Sequence, residues 1–158
     1  MAGNDAAKPA IVIPLRSKGD SLASEKKWSK AVMKLGFSIL PSLIFRAQQR
    51  LGLNPTQLAI LLQIADYWWD HSRKPYPSKT TLSERLGLSP RHIQRHIAEL
   101  EAAGLVKRIE RHAKHRGKLS NEYDLAGLVE RLKQLEPEFR EVAEMRRKVS
   151  RRGGLLKR

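Results

Sequence analysis

The sequence contains no cysteine, which excludes disulfides and cysteine-ligated metal sites. It has no run of about 18 apolar residues, so no segment is expected to span a bilayer, and its N-terminus lacks the layout of a secretory signal. None of its ten glycines belongs to a G-x-x-x-x-G-K phosphate loop. These absences fit a cytoplasmic protein.

Motifs that carry enzyme chemistry are also missing. His92 and His96 stand four residues apart, and His112 and His115 lie in a basic segment. Neither pair has a third ligand type nearby, and no His-Glu-x-x-His motif is present. We therefore predict a protein that is not an enzyme and that holds no metal and no cofactor.

The balance of charge is strongly positive. The 158 residues include 31 lysines and arginines against 16 aspartates and glutamates, a formal net charge of +15. Such an excess indicates a polyanionic partner, for which nucleic acid is preferred over an anionic membrane surface. The length suffices for one core with flanking segments.

Residues 78–106 predict a helix, a tight turn and a second helix. Ser78 is placed to cap the first helix, and Gly87 can adopt the left-handed conformation that ends it. Ser89 followed by Pro90 is typical of the start of the next helix. The segment therefore has the layout of a helix-turn-helix.

The second helix has an apolar stripe formed by Ile93, Ile97 and Leu100. At about 100° per residue, the arginines project opposite this stripe and the polar residues flank them. Candidate readers of base edges in a DNA major groove are therefore Arg91, His92, Gln94 and Arg95. The alternative is an ordinary surface helix of an all-α domain.

A basic hairpin is predicted after the second helix. Gly104 ends that helix, residues 105–111 and 121–125 read as strands, and residues 112–118 form a polar turn between them. The order is that of a winged helix. Candidate wing contacts are Arg111, Lys114, His115, Arg116 and Lys118. Candidate phosphate contacts are Ser78, Lys79, Thr80, Thr81 and Ser89.

The stretch from Ser89 to Val106 fills every position of the pattern Ser-x-Arg-x-(Val/Ile)-x-Arg-x-(Ile/Leu)-x-x-Leu-x-x-x-Gly-(Leu/Ile)-(Val/Ile). It thus resembles the winged helix-turn-helix families of bacterial regulators, such as the GntR-type domains. A wider likeness over about residues 25–130 includes Lys27 to Met33, Leu51-Gly52-Leu53 and Tyr67-Trp68-Trp69. That likeness is to a group of small proteobacterial helix-turn-helix proteins, similar in turn to N-terminal modules of plasmid and phage replication proteins. The resemblance implies DNA binding, for either transcription or replication.

Five segments are predicted in all. Residues 1–24 form a flexible basic arm, which is either a disordered leader or a contact to phosphates or a minor groove. Residues 25–53 are a helical extension, in which Glu25 to Leu35 forms one amphipathic helix and residues 42–51 another. The winged helix-turn-helix domain follows at 54–125 and opens with a long helix from Thr56 to about His71.

The C-terminal part comprises residues 126–149 and a basic tail, 150–158. Its apolar stripe is either packed back on the same core or forms a homodimer seam, and Pro137 is expected to break or restart the helix. The basic residues from Arg146 onward are expected to be solvated and drawn to phosphates.

The predicted fold is thus mainly α with a small β-wing. The function predicted is that of a sequence-specific double-stranded DNA-binding protein, a bacterial transcriptional regulator associated with a mobile element and located in the cytoplasm on the nucleoid. The alternatives are a plasmid or phage replication-initiation protein and a nucleoid-type protein that coats DNA with low specificity. No membrane partner and no effector ligand is assigned.

Overall fold

The structure, a computed structural model, describes residues 18–113 and 117–155. The chain divides into two compact units, with the boundary between Ile39 and Leu40. Of the predicted arm, residues 1–17 lie outside the described residues.

The first unit contains two short helices, α1 (Lys18–Trp28) and α2 (Lys30–Lys34). The prediction of one continuous helix from Glu25 to Leu35 is wrong, because Ser29 has a φ of 73° and interrupts it. The Ser29 hydroxyl accepts the Val32 N–H at 3.3 Å and so caps α2. Helix α1 also begins inside the segment predicted as an arm.

The second unit begins with α3 (Ser42–Arg46) and α4 (Pro55–Asp66). A capping box starts α4, since the Asn54 side chain accepts the Gln57 N–H at 2.8 Å and the Gln57 side chain accepts the Asn54 N–H at 3.0 Å. Both helices are shorter than predicted. The chain leaves α3 to form a turn closed by Gln48, whose side chain donates to the Leu53 carbonyl at 3.1 Å.

The predicted helix-turn-helix is present as α5 (Lys79–Leu86) and α6 (Pro90–Ala102). Gly87 has a φ of 64° and ends α5, as its sequence position indicated. Ser89 caps α6 and Pro90 is its first residue. These local predictions are confirmed.

A basic hairpin follows α6. Strand β1 (Lys107–Ile109) pairs antiparallel with β4 (Glu122–Asp124), and Arg108 lies opposite Tyr123. The segment predicted as a turn begins and ends in a second short ladder, in which β2 (His112–Ala113) pairs with β3 (Gly117–Lys118). The hairpin is therefore paired further toward its tip than the sequence indicated.

Helix α7 (Ala126–Arg151) is continuous, so the predicted break at Pro137 is wrong. Leu128, Leu132 and Leu135 bury its first half, and contacts made just beyond Pro137 hold the next turn as well. These contacts on both sides offset the roughly 3 kcal/mol that proline costs a helix. The helix ends at Arg151 and so includes the first two residues of the segment predicted as a tail, 150–158.

One hydrophobic core holds the second unit together and confirms the predicted fold class, a mainly helical domain with a small β-wing. Its most deeply buried side chains come from α4, α5, α6 and β4 and are Ile60, Leu61, Ile64, Leu82, Ile93, Ile97, Leu100 and Tyr123. Within the described ranges, no helix has both the length and the apolar character needed to cross a membrane.

Candidate nucleic-acid interface

Helix α6 has one sealed face and one open face. Ile93, Ile97 and Leu100 are at most 1% exposed and pack into the core beneath the helix. On the other side the four candidate base readers, Arg91, His92, Gln94 and Arg95, are all exposed. The structure therefore brings these residues together at the surface, along the first two turns of α6.

The N-terminal end of α6 favours anions. The Ser89 hydroxyl accepts the His92 N–H at 3.3 Å and lies 3.2 Å from the His92 ring nitrogen Nδ1. No acidic residue occupies the first turn, so the partial positive charge of the helix end is not neutralised locally. This end of the helix suits a phosphate or the electronegative floor of a groove.

Two arginines on the open face differ in their surroundings. The Nε of Arg95 lies 3.8 Å from a Glu99 carboxylate oxygen, and the Arg95 side chain is 60% exposed. Arg91 forms no ion pair with any other residue that the structure describes. We expect Arg91 to be the more freely available of the two, since Arg95 must leave a loose carboxylate contact to reach a base.

Glu99 is held in place by two elements. One of its oxygens lies 2.9 Å from Nδ1 of His96 and accepts the Gln57 side-chain N–H at 2.8 Å. The hydrogen bond with His96, followed by that with Gln57, lowers the pKa of Glu99 below its usual value. Glu99 therefore ties α6 to the start of α4, while His96 is buried and does not belong to the open face.

The base of the hairpin contacts the segment that leads into α5. The Arg111 guanidinium lies 4.5 Å from the centre of the Tyr76 ring, and its Nε is 3.3 Å from a Glu122 oxygen. The Ser120 hydroxyl donates to the Tyr76 carbonyl at 3.2 Å. Of the other wing candidates, Lys114, His115 and Arg116 lie outside the described residues, and only the backbone of Lys118 is described.

Sequence reasoning missed Tyr76 as an interface residue. Its flanking prolines, Pro75 and Pro77, are buried, while the Tyr76 side chain is 54% exposed. Proline on both sides restricts this link to extended geometry. An aromatic residue between two prolines is therefore a sequence feature from which a fixed, exposed ring could have been predicted.

The N-terminal end of α5 offers fewer free hydroxyls than predicted. The Ser78 hydroxyl accepts the Thr81 N–H at 2.9 Å and lies 2.8 Å from the Thr81 hydroxyl. Lys79 and Thr80 are exposed. The cap therefore occupies two of the four candidates, while Lys79 and Thr80 stay open to a phosphate.

Residues 51–106 match the family model of a helix-turn-helix domain. The match runs from the turn before α4 to the end of the α6–β1 connection. No curated protein matches the sequence. The likeness to GntR-type regulators stays a prediction.

Among solved structures, the N-terminal domain of the DnaD protein from Geobacillus kaustophilus HTA426 is similar to this chain, with 21% identity and a TM-score of 0.48. The alignment covers 82% of this chain and 97% of that one.

The helix-turn-helix domain is joined to the hairpin by a partly buried ion pair. The Glu101 carboxylate accepts both the backbone N–H and the Nε–H of Arg108, each at 2.7 Å. Burial raises the pKa of Glu101, but the hydrogen bonds and the positive charge of Arg108 outweigh it and lower the pKa overall. The end of α6 and the start of β1 are therefore fixed to each other.

Histidine and carboxylate side chains do not gather into a metal site in the part of the chain that is described. No group of three such residues is close enough there to hold an ion. The two histidines of the pair on α6 have different surroundings, since His92 is exposed at the start of the helix and His96 is bound to Glu99.

Proposed function

We propose that the protein binds double-stranded DNA sequence-specifically, with the first two turns of α6 in the major groove. The observation that carries this proposal is that α6 has one buried apolar face and one exposed polar face. Ile93 and Ile97 seal one face, while the other presents basic and amide side chains to solvent. The major groove of B-DNA admits an α-helix, and a helix whose far side is packed into a domain presents its exposed side chains to the base edges.

Each exposed side chain has a chemical role in this proposal. Arg91 and Arg95 can each donate two hydrogen bonds to guanine, and Gln94 can pair with the edge of adenine. A good bidentate contact discriminates against a wrong base by about 1–3 kcal/mol. His92, beside the Ser89 cap, lies at the edge of this set and is assigned to base reading with it.

Phosphate contacts are assigned to the ends of the reading surface. Lys79 and Thr80 at the start of α5, with the caps Ser78 and Ser89 and with Thr81, face the backbone of the duplex. On the hairpin, Arg111 and its neighbours Lys114, His115, Arg116 and Lys118 would follow the strand or enter the minor groove. These contacts set position and affinity, whereas α6 sets sequence preference.

The decisive experiment selects bound sequences from a pool of random duplexes and then measures affinity for a selected and a scrambled duplex at the same salt concentration. Wild type should prefer the selected duplex by about 10³-fold or more. Arg91→Ala and Arg95→Ala should each reduce that preference by roughly 5–150-fold, as loss of one bidentate contact implies.

A matched control removes an arginine from α7, outside the helix-turn-helix domain. Arg131 lines a shallow recess with Ala103 and Gly104, about 18 Å along α6 from Arg91. Arg131→Ala removes the same charge but should leave the preference unchanged. Equal affinities of wild type for selected and scrambled duplexes would refute sequence reading and favour a protein that coats DNA.

We further infer that DNA binding serves transcriptional regulation, as predicted for a regulator of a mobile element. A sequence-specific binder can repress a promoter simply by occupying it, so no catalytic site is required. Repression of a reporter by wild type, lost with Arg91→Ala, supports this role. Dependence of plasmid maintenance on the same residue, without reporter repression, would assign the protein to replication instead.

A further inference from the structure

The apolar stripe of α7 changes its surroundings along the helix. Leu128, Leu132 and Leu135 are buried in the core. The next turn is also held, since the Arg46 guanidinium lies 5.4 Å from the centre of the Phe139 ring. In that same turn, Arg50 donates to Glu138 at 2.8 Å and 3.2 Å. Up to this point the helix is part of the domain.

Beyond Phe139 the stripe continues with two exposed side chains. Val142 is 49% exposed and Met145 is 59% exposed, and Val149, four residues later, is partly buried. At helical spacing these three side chains lie on one face of α7. An exposed apolar row on a helix that is otherwise rich in charge indicates a contact surface.

Charges along this part of α7 are separated by sign. The acidic residues Glu136, Glu138, Glu141 and Glu144 come first, and the one basic residue among them, Arg140, is held 3.7 Å from Glu136 of the same helix. The basic residues Arg146, Arg147, Lys148, Arg151 and Arg152 follow. A second copy of the same helix running in the opposite direction would therefore place acidic turns against basic turns, whereas a parallel copy would oppose like charges.

The flank of the stripe gives a register for such a pairing. Glu141 and Lys148 lie on the same side of the row formed by Val142, Met145 and Val149, and neither forms an ion pair with another described residue. In an antiparallel pair with its two-fold axis at Met145, Glu141 of each copy faces Lys148 of the other. Val142 then packs beside Val149 across the seam.

We propose that the protein forms a homodimer through an antiparallel pairing of the C-terminal half of α7, centred on Met145. The occupant of the exposed stripe is a second copy of this chain, because only an inverted copy satisfies both the apolar row and the order of charges. The pairing goes beyond DNA reading and does not rest on it, since it is measured without DNA.

Charge reversal tests the direction of the pairing in the full chain by sedimentation equilibrium. Glu141→Lys or Lys148→Glu alone should weaken self-association roughly tenfold, because each change affects two symmetry-related charge pairs. The double variant should recover association close to that of wild type. In a parallel pair equivalent turns lie side by side, so wild type and variants alike would oppose like charges, and neither single reversal would weaken association.

Disulfide trapping tests the register and uses the absence of native cysteines. Met145→Cys should form a covalent dimer under mild oxidation, since the two thiols meet at the axis. Val142→Cys alone should not, because its two copies lie about 9 Å apart along the seam, beyond disulfide reach. A mixture of Val142→Cys and Val149→Cys should give a mixed dimer.

The matched control is Glu144→Cys, which places a thiol on the opposite face of the same turn. The proposal is overturned if Met145→Cys forms no more covalent dimer than Glu144→Cys, or if Val142→Cys links to itself as readily. It is also overturned if wild type stays monomeric and Met145→Glu instead weakens DNA binding, which would assign the stripe to a contact with the duplex.

Discussion

The start of α7 lies so close to the turn after α6 that it tolerates only a glycine. A β-carbon built on Gly127 would overlap the carbonyl oxygen of Gly104. Next to it, the Leu128 N–H donates to the Leu105 carbonyl at 3.1 Å. Replacing Gly127 by alanine must therefore push α7 away from the α6–β1 connection, and both groups in contact are backbone.

The free-energy cost of Gly127→Ala follows from three terms. Forcing an extra methyl into a packed contact costs about 1–3 kcal/mol, and weakening the Leu128 hydrogen bond costs about 1 kcal/mol. Alanine is favoured over glycine in a helix by at most about 1 kcal/mol, which offsets part of the loss. We expect a net destabilisation of roughly 1–3 kcal/mol, from the sum of these terms.

Urea unfolding followed by circular dichroism measures this change. Ala143→Gly is the control, because it alters helix propensity at an exposed position of the same helix and should cost about 0.5–1 kcal/mol. If propensity alone mattered, Gly127→Ala would stabilise the protein by a similar amount. A midpoint equal to or above that of wild type would refute the close contact.

Three further predictions concern the turn, the ion pair and the hairpin. Gly87→Ala should cost about 1 kcal/mol in urea unfolding, because Gly87 has a φ of 64°, and Gly87→Asn should cost less. Since the pKa of Glu101 is lowered in the folded state, its stabilising effect is present above its ordinary value of 4.5 and lost as pH falls below it. The free energy of unfolding should thus fall more steeply in acid for wild type than for Glu101→Gln, and parallel curves would contradict this. Arg111→Ala should weaken binding to all duplexes by a similar factor and reduce the salt slope by about one, and a changed sequence preference would count against a phosphate role.

Local signals in the sequence identified the helix-turn-helix because each one acts on its own neighbours. Ser78, Gly87 and Ser89 each satisfy or terminate backbone groups within four residues. The isoleucines of α6 repeat at a spacing that only one helix face can bury. These features need no information from distant parts of the chain, and the structure has all of them.

The predictions of helix bounds were wrong where contacts with distant parts of the chain determine the structure. Pro137 stays inside α7 because Glu138 and Phe139 are held by Arg50 and Arg46 from another part of the chain, which the local sequence does not reveal. Conversely, α4 ends at Asp66 although an apolar pattern continues to Trp69. There the side chain of Arg85 contacts both Asp66, at 3.1 Å, and the Tyr67 ring, at 4.8 Å.

The candidate interface was predictable in part for the same reason. The exposure of Arg91 and Arg95 follows from helical spacing alone. Glu99 borders the reading face and is held there by Gln57 and His96. This arrangement depends on how α4 packs on α6, which helical spacing does not predict. The contact between Arg111 and Tyr76 joins residues 35 positions apart in sequence and could be found only in three dimensions.

The Glu101–Arg108 pair has a consequence for the sites this protein could occupy. Because it fixes the hairpin to the end of α6, the two cannot move independently to fit a duplex. One inserted base pair would shift a minor-groove contact by about 3.4 Å along the axis and by about a tenth of a turn around it. On the proposed mode of binding, the protein would require a fixed spacing between its major-groove and minor-groove contacts. It would reject operators of altered length as firmly as those of altered sequence.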